Sequence, residues 1–179
     1  LDELVERAVA MARIATEDPY CGIAEPSQIV TNIPVLDMCD PSEPTTEDLT
    51  DLATRAEDAA RAIEGVTNSE GGEAGWSRAN IAIAATNGLA QSYSMSSQSC
   101  SACFIAGEDT GMERDYDYDS AVYGSDLKSP ENIGRSAGER AVKRLNARKV
   151  KSQQVPIIYD RRVSSGMVRH LAGAINGAS

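Results

Sequence analysis

Histidine is the residue type whose scarcity most constrains the chemistry of this 179-residue chain, because His170 is the only one. A zinc centre takes three or four protein ligands, and a histidine that acts as a base needs a second group to orient its ring. Leu171 follows His170, and no other imidazole is present to complete a site. We therefore expect His170 to be a surface or partly packed residue rather than a metal ligand or a base.

Cysteine provides the next candidate, because Cys100 and Cys103 have the CxxC spacing of redox and zinc motifs. The other two cysteines, Cys21 and Cys39, do not form a second pair. If residues 100–103 are extended, side chains three positions apart point to opposite faces and cannot chelate one ion together. No secretory signal opens the chain, so we predict reduced thiols with a structural role.

A third candidate is a set of alternating acids, namely Glu113, Asp115, Asp117 and Asp119. Their spacing is similar to a calcium loop. The sixth and twelfth positions counted from Asp115 hold Ser120 and Asp126, however, where such a loop needs glycine and glutamate. On a strand the three aspartates would line one face and Tyr116 and Tyr118 the other. We predict a solvated or salt-bridged strand face, with a cation site as the weaker alternative.

Other catalytic and binding motifs are missing from the sequence. The Gly71–Gly72 pair lacks the spacing of a phosphate-binding loop, and no GxSxG elbow occurs. No stretch approaches the roughly 20 apolar residues of a membrane span. These observations predict a cytoplasmic chain with no membrane contact and with no catalytic, cofactor or metal residues of its own.

The charge is unevenly distributed along the chain. The net charge is −10; residues 1–134 hold 25 acidic and 7 basic residues, whereas residues 135–179 hold 10 basic and 2 acidic ones. So acidic a chain is poorly suited to bind nucleic acid. We expect the basic end to face the acidic remainder or solvent, rather than to bind an anionic partner.

The first third of the chain reads as a helical lead-in with a proline-rich loop, over residues 1–64. Apolar residues recur at helical spacing over 1–15. Five prolines then interrupt residues 16–44, although the loop still carries apolar residues that an ordered segment could bury. A second helix is predicted from Thr45, a suitable N-cap, to Gly65.

Residues 66–123 predict an antiparallel β-meander. Asn87–Gly88, a strong hairpin signal, separates alternating segments at 80–86 and 89–95, and further strands are predicted at 72–78 and 97–107. The serine-rich run Ser92–Ser101 alternates with Tyr93, Met95 and Cys100, which favours a sheet edge or a ligand-facing surface. The predicted fold class is α/β (α+β), a meander with flanking helices.

Residues 129–179 predict a helix, a strand and a second helix. Ser129 and Pro130 form a typical helix start, and this helix is predicted to reach about residue 147. The apolar run 155–159 predicts a short edge strand, because Pro156 lacks a backbone donor. Asp160 is placed to cap the last helix.

Several segments, in order along the whole chain, resemble the PmbA/TldE branch of the TldD/PmbA family, known as modulators of DNA gyrase and as metallopeptidase subunits. The matching segments are residues 17–20 (EDPY), 85–89 (ATNGL), 106–107, 111–117 (GMERDYD), 131–134 (ENIG), 141–149 (AVKRLNARK), 155–159 (VPIIY) and 174–177 (AING). The resemblance implies that the 179 residues are the central part of a longer protein, with an α/β segment before them and a β-rich domain after them.

The resemblance also implies that the two branches of the family differ in whether they carry the catalytic zinc motif. In the TldD branch the last helix carries HExxxH, which supplies two zinc ligands and a catalytic glutamate. Placed on this chain, the motif begins at His170, with Leu171 in place of the glutamate and Ile175 in place of the second histidine. The resemblance therefore implies that this chain is a non-catalytic subunit of a TldD-type zinc metallopeptidase that processes peptides, with zinc only in the TldD-like partner.

Two other functions remain open from the sequence. One is a homodimeric peptide-binding or chaperone-like module that works without a protease. The other is a regulator linked to DNA gyrase. The expected partners are a TldD-like homologue or a second copy of this chain, and a peptide substrate.

Overall fold

The structure is a computed structural model that describes residues 2–19, 21–30 and 32–176. Leu1, Tyr20 and Gly177, which entered the predictions above, lie outside these residues. The chain divides into two compact units, Leu1–Asn146 and Ala147–Ser179.

A three-stranded antiparallel sheet forms the centre of the first unit. Its strands are β1 (Val66–Ala84), β2 (Ala90–Ala106) and β3 (Glu113–Ala121), and their order in the sheet is the order in the chain. Residues 85–89 join β1 to β2, with Gly88 at a positive φ of 94° that favours glycine. The predicted fold class, an antiparallel meander with flanking helices, is confirmed.

The strands are longer and fewer than the sequence predicted. Four strands were expected over residues 72–107, whereas β1 and β2 each run unbroken through the predicted gaps. Arg78 pairs with Ser96 and Ala79 with Met95, and the register shifts only near the start of β1, between Val66 and Gly71. The polar residues at the predicted gaps sit in the ladder because backbone pairing, not side-chain type, holds an antiparallel strand together.

Two helices cover one face of the sheet. Helix α1 (Asp2–Ile14) precedes them in the chain, and the two covering helices are α2 (Thr46–Arg61) and α3 (Pro130–Lys143). The predicted caps are confirmed: Thr45 accepts from the Asp48 N–H and Ser129 accepts from the Asn132 N–H. Because α3 ends at Lys143, it is shorter than the predicted helix.

The core lies between these helices and the inner face of β2. Phe104, the only phenylalanine, is fully buried there together with Ile133 of α3. The other buried members are small, and they let the helices approach closely: Ala56, Ala60, Cys100, Ala102 and Ala137. At the closest point a Cβ on Gly134 would overlap the Ala56 carbonyl oxygen.

The second unit contains helix α4 (Arg161–Ala174). Asp160 caps it as predicted, by accepting from the Arg162 N–H (2.9 Å). The strand predicted at 155–159 is wrong: these residues pair with no strand in the described part of the chain. An apolar run can become a strand only where another strand offers its backbone groups. No helix among the described residues is long and apolar enough to span a membrane.

Candidate functional site

Helix α4 carries the three positions that the sequence compared with a zinc motif. His170 is exposed, and so are Leu171 (63%) and Ile175 (76%). Neither leucine nor isoleucine has an atom that binds a metal. Over residues 2–19, 21–30 and 32–176, no group of three or more histidine, cysteine or acidic side chains could hold a metal ion. The described side chains therefore do not fit a zinc centre.

The CxxC pair is divided between the two faces of β2. Cys100 is buried in the core, whereas the Cys103 thiol donates to a Glu70 carboxylate oxygen (3.1 Å) on the opposite face. Burial, followed by the hydrogen bond to Glu70, raises the pKa of Cys103 to about 11. A thiol with so high a pKa is protonated at neutral pH and is a poor nucleophile. The prediction that the two thiols point apart is confirmed.

The alternating acids lie on β3, and each one is paired with a basic residue. The pairs are Arg144–Glu113 (3.5 Å), Arg144–Asp115 (3.5 Å), Arg140–Asp117 (2.9 Å) and Lys128–Asp119 (3.8 Å). This is the salt-bridged strand face that the sequence predicted. Two of the basic partners lie on α3 or at its end, so part of the basic end of the chain does face the acidic part.

Two of these aspartates also close the outer edge of β3. The Tyr116 N–H donates to a carboxylate oxygen of Asp115 (2.8 Å), and the Tyr118 N–H donates to Asp117 (3.0 Å). Arg140 donates to the Tyr116 carbonyl oxygen (3.4 Å). These contacts occupy backbone groups that another strand would need, so the acidic strand works as a protected edge.

The serine-rich run has two different environments. From Gln98 onward it is the central strand of the sheet and is paired on both sides, with β1 and β3. This part cannot be the sheet edge that the sequence allowed. The part before Gln98 pairs with β1 alone, and there the Ser96 N–H donates to the Met38 carbonyl oxygen (2.9 Å). Ser92 and Ser94 are exposed.

Asp40 fixes the loop that runs past this part of β2. Its backbone N–H donates to Ser96 Oγ (2.7 Å), and its carboxylate accepts from the N–H groups of Ser42 (2.8 Å) and Gly124 (3.0 Å). Arg78 on β1 donates to the Asp40 carbonyl oxygen (2.7 Å). Hydrogen bonds from Ser42, then that from Gly124, hold the pKa of Asp40 below its ordinary value. Asp40 is 7% exposed, and its backbone and side chain together tie the loop to β1, to β2 and to the segment that follows β3.

A groove of about 900 Å³ lies between this loop and the far end of the hairpin. Its loop side includes Val35 and Leu36, and its hairpin side includes Leu89, Tyr93 and Met95. The groove is mostly apolar, and Ser92 and Ser94 add hydroxyl groups to its wall. This concave and mostly apolar surface lies beside the serine-rich strand, and so it is the candidate binding site.

Neither the role of Asp40 nor the groove was predicted from the sequence. The run Asp40-Pro41-Ser42 is a local signal that could have indicated the turn, because an aspartate often accepts from the N–H two residues ahead. The contact with Ser96 spans 56 residues, and no local pattern predicts it.

Comparison with known proteins identifies the family to which this chain belongs. A sequence model described as the PmbA/TldA metallopeptidase central domain matches residues 39–145, which include the sheet and both covering helices. The chain belongs to the PmbA/TldD family. Two curated relatives agree with the match: "Metalloprotease PmbA" of Escherichia coli O157:H7 is 36% identical over 176 residues, and a PmbA homologue of Haemophilus influenzae is 31% identical over the same length.

Solved structures show the same fold. The chain matches a proposed modulator of DNA gyrase from Bacteroides thetaiotaomicron with a TM-score of 0.85 and 23% identity, over 98% of this chain and 41% of that one. A protein of similar description from Thermotoga maritima gives a TM-score of 0.64 and 21% identity, over 85% of this chain and 34% of that one. Each of the two curated relatives aligns with 98% of this chain, and the chain spans 39% of their length.

Proposed function

We propose that this chain is the central domain of a non-catalytic subunit of the PmbA/TldE type. It would act in a cytoplasmic complex with a TldD-type zinc metallopeptidase that processes peptides. The observation that carries the proposal is the composition of α4 in a chain of this family. His170 is followed by Leu171 and Ile175 at the positions where the catalytic branch has its glutamate and its second histidine.

Peptide hydrolysis at a zinc centre needs several fixed ligands and a base within hydrogen-bond reach of the bound water. Leu171 and Ile175 can supply neither. Under this proposal the zinc and the chemical step belong to the TldD-like partner. The residues of this chain bind and orient the peptide.

The groove beside the serine-rich strand is the surface that we assign to peptide binding. Its apolar walls, formed by residues such as Leu36 and Tyr93, suit the side chains of an unfolded peptide. The exposed hydroxyl groups of Ser92 and Ser94 can bond to a peptide backbone without regard to its sequence. Such contacts favour a broad peptide specificity.

The test is peptide hydrolysis by the full-length protein alone, by a TldD-like homologue alone and by the mixture, each with and without a chelator. We expect no cleavage by this protein alone and chelator-sensitive cleavage that is faster in the mixture. Cleavage by this protein alone would contradict the proposal. So would a mixture no faster than the homologue alone.

Metal content gives a second test. The purified protein should hold no stoichiometric zinc by elemental analysis, and His170→Ala should leave the zinc content of the complex unchanged. Equimolar zinc that is lost in His170→Ala would place a metal site on α4 and reopen an enzymatic role for this chain. The matched control is Arg169→Ala, which removes the exposed neighbour of His170.

The same mixing experiment separates the alternatives. A homodimeric peptide-binding module would bind unfolded peptides equally well without the homologue, and the two proteins would not co-purify. A gyrase regulator would change DNA supercoiling by gyrase in the absence of any peptide.

A further inference from the structure

The groove beside the serine-rich strand has a single charge on its walls. Among the described residues that line it, Asp37 is the only charged one, and it lies on the loop wall between Leu36 and Met38. The apolar side chains before it are not buried, since Val35 is 96% exposed and Leu36 is 62% exposed. Apolar side chains exposed together on a concave surface mark a place where another molecule binds. The groove therefore offers a ligand apolar contacts and one negative charge.

Asp37 has no cation of its own. In the part of the chain that the structure describes, no lysine, arginine or histidine forms an ion pair with it. The four acids of β3 are all paired with basic residues, as described above, and Glu43 on the same loop as Asp37 pairs with Arg78. An unpaired carboxylate on an apolar wall is complementary to a ligand that brings a positive charge.

Tyr123 holds the Asp37 carboxylate in place. Its hydroxyl group donates a hydrogen bond to Asp37 Oδ1. That hydrogen bond, followed by burial, raises the pKa of Tyr123 to about 12, so the phenol stays neutral and remains a donor. No described residue donates a hydrogen bond to the other oxygen, Oδ2. One oxygen of the carboxylate is thus fixed from within the fold, and the other is available to a ligand.

We propose that the groove binds an extended peptide through apolar side chains and through one basic side chain that pairs with Asp37. This inference rests on the peptide-binding role assigned to the groove above, and it adds the position at which the groove selects a residue. An uncharged peptide would cover the carboxylate and leave it without a cation, which costs free energy. The basic residue belongs in the interior of the peptide, because the groove wall continues on both sides of Asp37, from Ile33 to Cys39.

The test is the binding of fluorescent peptides to the full-length protein, measured by anisotropy. The probe is an N-acetylated peptide of alternating leucine and serine with one central lysine. In its control, norleucine replaces the lysine and removes the charge at nearly the same length. A third peptide has the central norleucine and a free α-amine. We expect the lysine peptide to bind about fivefold more tightly than its control, the upper range for an exposed ion pair, and the free α-amine to add nothing.

Two variants assign the preference to Asp37. Asp37→Asn removes the charge alone, because asparagine also adopts the positive φ of 52° found here and can still accept from Tyr123. The matched control is Asp109→Asn, since Asp109 is exposed, has a φ of 48° and does not line the groove. Asp37→Asn should abolish the preference for lysine and leave the binding of the norleucine peptide unchanged. Asp109→Asn should keep the preference of the wild type.

The possible outcomes separate this inference from the proposed function. Equal binding of the lysine and norleucine peptides would overturn the inference but leave peptide binding by the groove intact. A preference for lysine that persists in Asp37→Asn would overturn it, and so would a preference for the free α-amine that Asp37→Asn abolishes. If none of the peptides binds, the peptide-binding role of the groove fails as well. The measurement needs no zinc and no TldD-like homologue, so it is independent of the hydrolysis assay.

Discussion

Gly134 is where α3 approaches α2 most closely. A side chain there would meet the Ala56 carbonyl oxygen, which is a backbone atom and cannot rotate away. The helix can therefore pack at this distance only because residue 134 has no Cβ. Gly166 on α4 is also helical, but it has no atom within 4 Å of a Cβ built on it, which makes it a matched control.

We expect Gly134→Ala to lower the free energy of unfolding by about 3 kcal/mol, since the two helices must separate to relieve the overlap. Gly166→Ala should not destabilise, because alanine has the higher helix propensity by about 1 kcal/mol. Urea unfolding of both variants measures the difference. Equal stability of the two would show that the helices can shift apart without cost.

Asp40 gives the fold a specific sensitivity to acid. Hydrogen bonds from Ser42, then from Gly124, lower its pKa below the ordinary value of 3.8. Because the pKa is lower in the folded state than in the unfolded one, the ionised carboxylate stabilises the fold above pH 3.8. That contribution disappears as the pH falls through the lowered pKa.

Ser42→Ala should therefore raise the pKa of Asp40 and move the acid loss of stability to higher pH. Asp40→Asn should remove this part of the pH dependence. The measurement is stability against pH between about 2 and 6, with Ser99→Ala, a change on the exposed face of β2, as the control. A Ser42→Ala profile that coincides with wild type would contradict the assignment.

At the scale of helices and strands, the features predicted correctly from the sequence are those that neighbouring residues determine. Thr45, Ser129 and Asp160 begin their helices as predicted, because an N-cap acts on backbone groups two or three residues away. The hairpin turn at Gly88 is local as well. The length of β1 and the missing strand at 155–159 depend on what lies beside the chain, and residue types cannot show that.

The ion pair between Arg140 on α3 and Asp117 on β3 can be tested by its effect on stability. Arg140 and Asp117 are partly buried, with side chains 25% and 14% exposed. Burial opposes ionisation of Asp117, but hydrogen bonding from Ser136 and the charge of Arg140 leave its pKa below the ordinary value. Arg140→Met would leave this carboxylate without its cation and remove the hydrogen bond from Arg140 to the Tyr116 carbonyl oxygen.

We expect Arg140→Met to lower the free energy of unfolding by about 2 kcal/mol, in line with hydrogen bonds to charged groups. The control is Arg61→Met, which breaks a more exposed pair with Glu57 within α2 and should cost about 0.5 kcal/mol. Chemical unfolding at low and high salt measures both. Equal losses would mean that the pairing on β3 contributes no more than a surface ion pair.

At the scale of the whole molecule, the two units should separate under protease. Residues 147–160 have no regular secondary structure and are exposed, and they include Arg148, Lys149 and Lys151. Trypsin should cut there first. The product ending near Asn146 should keep the unfolding transition of the intact chain, because the whole core cluster lies within that unit. Earlier cleavage inside β1 or β3 would contradict this division.

The groove depends on the folding of the whole first unit, and for that reason the sequence did not indicate it. Its two walls, residues 33–39 and 83–95, are about fifty residues apart in the chain. They meet because Asp40 and Met38 bond to Ser96. The resemblance to a family was detectable because it draws on many positions at once. A binding surface made by two distant segments was not.

The chain order of the core elements has a consequence during synthesis. Helix α2 leaves the ribosome before the sheet, and α3 leaves after it, yet Phe104 is enclosed only when α2, β2 and Ile133 of α3 are together. All three strands are therefore synthesised before α3, the second helix that covers their core, is available. This unit must fold at the end of its own translation rather than in step with it. Until α3 emerges, the apolar face of β2 around Phe104 lacks one of its two covering helices, and exposed apolar surface of this kind is prone to aggregate.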